Sequence, residues 1–278
     1  MKEKLVLAFK GFLIGLANII PGVSGGTMAV TLGIYEKIID FLSSWKDHFK
    51  EKLSFIFPIG LGTIISILFF SGIINFYLEK YPLAITLLFL GLIIGGLPKL
   101  YKNIEKPLFD FKNIVSFFVT ILFMIVLYLF IGGSNDADLS SLNIVGFLLL
   151  FLVGIIAAVT MIVPGISGSF VLMLIGYYKP VLNVIHSFID FDNFIYNLLL
   201  LFVFGLGVIV GILSSSKIIK FCLNRYKNQT YSSIVAFVLS SMFLIIFPYL
   251  GIDFNFLECL VGTLLLFLGM VTTYKLEQ

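Results

Sequence analysis

The spacing of apolar positions predicts helices throughout this chain. Residues 114–131, 194–213 and 234–250 are almost uninterrupted apolar stretches of roughly 18–20 residues. That is the length a helix needs to cross a hydrocarbon core about 30 Å thick. Three more runs give spans at about 54–75, 83–98 and 256–273, with polar positions gathered between them. Two blocks break the pattern. Residues 11–42 and 154–185 are apolar too, yet each is interrupted by Pro-Gly-x-Ser-Gly, as "PGVSGGT" (21–27) and "PGISGSF" (164–170). Proline deletes a helical hydrogen bond and glycine weakens the helix, so both blocks are predicted to break there.

Composition turns this helical pattern into a class. Hydrophobic residues make up 60% of the 278 positions and charged residues 12%, and mean hydropathy is +1.12. A soluble domain carries roughly 25% charged residues. The chain therefore reads as an all-α polytopic membrane protein. Its first 20 residues have a basic start and an apolar stretch but no small-x-small cleavage site, and they are read as retained. Cys222 and Cys259 imply neither a disulfide nor a metal site, and His48 and His186 are lone loop residues. No cofactor and no nucleic-acid partner is expected.

The chain also matches itself. At an offset of 143 the second Pro-Gly-x-Ser-Gly falls on the first, Gly154 on Gly11, Gly176 on Gly33 and Tyr178 on Tyr35. With two extra residues in the second copy, 205–226 aligns with 60–81, and 12 of those 22 positions are identical. Two repeats are expected, 1–131 and 146–278, joined by an extracellular linker at 132–145. Each would hold one motif block (11–42, 154–185) and three spans: about 54–75, 83–98 and 113–131, then about 194–213, 231–248 and 256–273.

Basic residues choose the topology. If both blocks enter and return, 16 of the 18 Lys and Arg fall in 1–10, 37–53, 99–112, 214–230 and the C-terminal segment; Lys80 and Lys179 are the exceptions. That is the excess expected of cytoplasmic segments. If each block crossed, seven lysines of 43–53 and 99–112 would move outside and the acidic 132–143 would move inside. Each block is therefore read as a re-entrant hairpin, with both termini cytoplasmic. Three crossings per repeat make the second copy inverted, an organisation found in secondary transporters.

Non-helical backbone at membrane depth must be buried in protein or line a cavity. In the expected hairpins Pro21 and Pro164 stop one arm. The next begins near Gly25 or Gly168, with Ser24 or Ser167 as N-cap and free N–H groups facing the turn. That chemistry suits an anion such as phosphate. The candidate phosphate ligands are Gly22, Ser24, Gly25, Gly26 and Thr27 in the first turn, with Gly165, Ser167, Gly168 and Ser169 in the second. Asn18 and Thr160 could assist. Glu36, Lys37 and Lys179 sit at arm ends, where they contact a headgroup, carry a proton or simply reach the interface. Asp40 reads as plain interface. Glycines of 91–95 and 205–211 read as close helix packing.

The segments "GFLIGLANIIPGVSGGTMAVTLGIYEKII" and "GIIAAVTMIVPGISGSFVLMLIGYY", with "GLIIGGLPKL" between them, resemble the bacterial DUF368 family of polyprenyl-phosphate transporters. The resemblance implies a protein of the bacterial cytoplasmic membrane. It would return undecaprenyl phosphate from the outer to the inner leaflet for reuse in cell-envelope synthesis. The motif positions that carry it are Pro21, Gly22, Ser24, Gly25, Gly26 and Thr27, with Pro164, Gly165, Ser167 and Gly168. Ser169-Phe170 replaces Gly26-Thr27 in the second copy, which leaves their equivalence open. Two other readings stand beside it. Undecaprenyl pyrophosphate phosphatase has a similar motif, but Gly25 and Gly168 stand where its arginine belongs, and a Glu-Glu-x-x-x-Glu cluster is absent. A carrier of a small soluble anion or of another phospholipid headgroup is the other.

Overall fold

A computed structural model describes residues 2–19, 23–44, 46–104, 110–129, 136–189, 193–252 and 254–277. The first half carries α1 (Lys2–Ile19), α2 (Gly25–Thr31), α3 (Tyr35–Ser43), α4 (Phe49–Lys80), α5 (Pro82–Lys102) and α6 (Phe111–Leu129). The second carries α7 (Ile144–Ile162), α8 (Gly168–Leu174), α9 (Tyr178–Ile189), α10 (Phe194–Arg225), α11 (Lys227–Ile246) and α12 (Phe256–Glu277). No strand occurs among the described residues. Seven of these helices (α4–α7 and α10–α12) include segments long and apolar enough to cross a membrane. Large apolar side chains point outward from them, Phe111 at 77% exposure and Ile144 at 88% among them. In water that surface would be unfavourable; against lipid it is ordinary. The chain is a multi-pass membrane protein.

Two local features differ from the pattern read in the sequence. The helix before each turn is longer than the arm expected there. α7 begins at Ile144, ten residues ahead of the 154–185 block, because Asn143 caps it by accepting from Gly146 N at 2.9 Å. At 19 residues it is among the helices long enough to cross. The arm after each turn is broken a second time. Gly33 and Gly176 have φ of +67° and +74°, which glycine alone adopts without strain. Gly33 N bonds Val30 O and Ile34 N bonds Ala29 O, both at 3.0 Å. Gly176 N and Tyr177 N repeat the arrangement on Met173 O and Leu172 O. These are Schellman caps, and they end α2 and α8 after seven residues each.

Close glycine contacts fix helix directions. Gly11 lies on Ile59 and Gly15 on Thr63 and Ser66, while Thr63 Oγ1 donates to Gly11 O at 2.9 Å. α1 and α4 therefore run parallel, and α2–α3 bring the chain back between them. In the same way Gly207 meets Phe151 and Gly211 meets Ala158, so α7 and α10 run parallel. Parallel pairs also join the halves. Ala84 meets Gly262 and Gly95 meets Met270 along α5 and α12. Along α6 and α11, Ser232 bonds Asn113 and the Phe123 ring meets Phe237. Gly91, Gly95, Gly207 and Gly211 are packing glycines, as read from the sequence, whereas Gly205 of the same run faces open space, with nothing within 4 Å of a Cβ there.

At one end of the bundle, the starts of α1 and α4, the Glu36–Asp40 stretch of α3 and the end of α10 surround a cavity of about 980 Å³. At the other, residues 136–140, α9 and the start of α10 surround one of about 570 Å³. The two long helices consequently run in opposite directions, α4 away from the large cavity and α10 toward it.

A Cβ on Gly11 would lie 2.0 Å from Ile59 O, whereas one on Gly60 would meet nothing within 4 Å. Gly11→Leu is expected to destabilise by about 1–3 kcal/mol or more through overpacking. Gly60→Ala should be neutral or stabilising by about 0.5–1 kcal/mol. Thermal unfolding in detergent compares the pair.

Candidate functional site

Pro21 and Gly22 lie outside the described residues, so the first turn is seen from Val23 onward. Ser24 is extended (φ −107°, ψ 133°) and caps α2, its Oγ accepting from Gly26 N at 3.2 Å. Gly25 N donates to Asn18 Oδ1 at 3.0 Å. The second turn begins at the buried Pro164 and passes through Gly165 with φ +85°. Ser167 is extended in the same manner but makes no side-chain cap; its Oγ lies 2.9 Å from Ser169 Oγ.

The two turns touch. Gly165 N donates to Thr27 Oγ1 at 2.6 Å, across 138 residues of sequence, and Thr27 is 1% exposed. Beside this bond Tyr35 Oη donates to Ile162 O, a carbonyl from the last turn of α7, at 3.1 Å. Gly26 faces the same helix end, where a Cβ would sit 3.2 Å from both Met161 O and Ile162 O. A cavity of about 190 Å³ opens here, lined by Asn18, Gly25 and Gly26 on one side and by Met161 and Ile162 on the other.

From Ser24 and Ser167 onward the turns are alike in backbone, and they are unlike in chemistry. In the first, the N–H groups of Gly25 and Gly26 are already accepted by Asn18 and Ser24. In the second, Gly165 N is held by Thr27, and its Cα is wedged against Phe237 O, where a Cβ would come within 2.5 Å. Gly168 packs under the Met161 side chain. Ser167 is half-buried and Ser169 exposed, so the open hydroxyls belong to the second turn.

The remaining candidates are dispersed. Thr160 Oγ1 donates back to Ile156 O and Ala157 O within its own helix. Glu36 and Lys37 line the 980 Å³ cavity; Tyr231 Oη donates to Glu36, and Lys37 sits 5.2 Å from the Phe55 ring centroid. Lys179 lines the cavity at the opposite end, 3.8 Å from Asp136. Three features escaped the sequence reading. Lys10 is buried, with its ammonium donating to Leu32 O at the end of α2 at 2.7 Å. Tyr35 braces the turns. Asp40, read as plain interface, binds Lys52 and Lys220 together. The available signals were the recurrence of Tyr35 as Tyr178 at the repeat offset and the i, i+4 spacing of Glu36 and Asp40, which puts both on one helix face.

Comparison with known proteins bears on what this arrangement serves. A family model described as VCA0040-like, undecaprenyl phosphate translocase-like, matches residues 14–254, a stretch that takes in both turns. The chain belongs to this family. A polyprenyl-phosphate transporter of Staphylococcus aureus (strain NCTC 8325 / PS 47) is 33% identical over 281 residues, covering 99% of this chain and 96% of that protein. One from Vibrio cholerae serotype O1 (strain ATCC 39315 / El Tor Inaba N16961) is 30% identical over 247 residues, covering 84% and 74%. No solved structure matches.

Thr27→Val keeps the volume and removes the acceptor, leaving the Gly165 N–H buried and unpaired. A loss of about 1–3 kcal/mol is expected, with Thr27→Ser near wild type. Thermal unfolding of the three proteins reads the difference.

Proposed function

We infer that the protein is a transporter that carries undecaprenyl phosphate from the outer to the inner leaflet of the bacterial cytoplasmic membrane, holding the phosphate where the two turns meet. The observation that carries this reading is the Thr27–Gly165 hydrogen bond, which joins motifs from the two halves at one point. Relatives named polyprenyl-phosphate transporter align over 99% and 84% of this chain. A phosphate headgroup cannot enter hydrocarbon bare, because stripping a charge of water costs many kcal/mol. N–H groups and hydroxyls at the turns replace part of that hydration, and the prenyl chain remains in lipid.

Binding proceeds by exchange of partners. The phosphate takes over the N–H groups of Gly25 and Gly26 from Asn18 and Ser24, and it gains the hydroxyls of Ser167 and Ser169. α2 and α8 are seven residues each, so directed hydrogen bonds matter more here than any helix dipole. Alternating access follows from one inverted repeat rocking against the other. The re-entrant, inverted reading is supported by the parallel course of α1 with α4 and of α7 with α10, and by the opposed α4 and α10. The lysine-rich segments are then cytoplasmic, and so is the 980 Å³ cavity.

Two experiments test this. Ser24→Leu/Ser167→Leu fills the meeting point and should strand the carrier outside, raising surface-labelled undecaprenyl phosphate severalfold; unchanged labelling would refute the model. For topology, Cys222 and Cys259 are replaced by Ser and single cysteines are placed at 46 and 138. A membrane-impermeant thiol reagent added to intact cells should modify position 138 alone, and modification at 46 would overturn the orientation.

A further inference from the structure

The 980 Å³ cavity contains a charge arrangement that the turns do not explain. Lys52 Nζ, from α4, lies 2.7 Å from Asp40 Oδ2, and Lys220 Nζ, from α10, lies 2.5 Å from Asp40 Oδ1. Both ammonium groups also donate to Ser44 Oγ, at 3.0 and 2.9 Å. Two lysines from different halves thus converge on one carboxylate and one hydroxyl. Ammonium groups held this close repel each other, so an anion must stand between them. A single carboxylate leaves one positive charge uncompensated. The rest of the lining does not supply it, since five lysines face four acidic residues around the whole cavity. Lys52 is 18% exposed and Lys220 34%, so water screens their charges less than at an open surface.

The second half lacks this arrangement. At the 143-residue offset Asp40 corresponds to Asn183 and Glu36 to Lys179. The triad is therefore particular to one end, the end at which, on the reading above, the carrier is released. The ligand it suits is specific. A phosphate monoester brings up to two negative charges and several strong acceptor oxygens, a closer match to two ammonium groups and a hydroxyl than one carboxylate.

We propose that Lys52, Lys220 and Ser44 form a second anion site for a phosphate monoester, with the Asp40 carboxylate acting as its built-in stand-in. The site rests on the transport reading for its place in the path, although its chemistry accepts free phosphate as well as a lipid headgroup. Arrival of the phosphate displaces Asp40 and frees α3 from α10, so the same exchange opens the large cavity to the headgroup.

The test is isothermal titration of the purified full-length chain in detergent. The probes are inorganic phosphate, farnesyl monophosphate and, as a blank, farnesol. Asp40→Asn removes the competing charge and should tighten phosphate binding about tenfold, the effect of roughly one hydrogen-bonded charge contact. Asp40→Ser does the same if the amide unfolds the protein. Adding Lys220→Gln or Lys52→Gln to Asp40→Asn should abolish the gain. A gain for both phosphate probes supports a site reading the phosphate alone, and a gain for farnesyl monophosphate alone supports a lipid headgroup as its source. Affinities unchanged by Asp40→Asn and Asp40→Ser, or a gain that survives loss of Lys220, overturn the proposal. Repeating the titration in Ser24→Leu/Ser167→Leu separates the two sites. The second site stands if the Asp40→Asn gain persists there, whatever that double variant does to transport.

Discussion

A break in a membrane-embedded helix exposes backbone N–H and C=O groups, and hydrocarbon offers them nothing to bond. The rest of this structure depends on how that demand is met. Each Pro-Gly-x-Ser-Gly turn frees several such groups, and the protein satisfies many of them locally: Asn18 takes Gly25 N, Ser24 takes Gly26 N, and Schellman bonds close α2 and α8. Two are met across the halves instead, Gly165 N by Thr27 and Ile162 O by Tyr35. Those two bonds tie the turns together, because each turn finds a partner in the other half of the chain.

The proposed phosphate site draws on the same groups. A set of donors and acceptors held in place is what a phosphate would need in exchange for its hydration. The internal partners are neutral amide and hydroxyl groups, which an anion can displace without separating a buried ion pair. Among the described residues the ion pairs lie elsewhere, two at the cavity where α3 meets α4 and α10 and one, Lys179–Asp136, at the opposite end. Neutral groups at the centre and charged groups at the mouth is a division suited to a path along which an anion must leave as well as bind.

The halves share architecture more closely than chemistry. α4 and α10 are 32 residues each, and α2 and α8 seven each. Yet Ser24 caps its helix while Ser167 bonds Ser169, and Asp40 anchors two lysines where Asn183 stands in the other copy. Identical ends would leave a transporter without preference between its two faces. Polar positions diverge over glycine contacts that recur at Gly11 and Gly154 and at Gly62 and Gly207, so the ends differ in chemistry while much of the packing is common.

Much of this was legible in sequence because the relevant physics is local. Long apolar runs mark helices that need lipid, Pro-Gly marks where they break, and 12 identities in 22 positions mark the repeat. The second break was not read in advance: Gly33 and Gly176 recur at the repeat offset, but only the structure shows that their positive φ ends α2 and α8. Tertiary structure decided everything that depends on which groups meet. Nothing in the run "PGVSGGT" tells whether its N–H groups stay free or are taken by Asn18 and Ser24, and nothing in "SGGT" links Thr27 to Gly165. Asp40 looked like any interfacial carboxylate until folding brought Lys220 to it from 180 residues away. Helix formation and membrane insertion follow from a residue's neighbours in the chain, whereas the partner of a buried donor or charge is set by packing between distant segments.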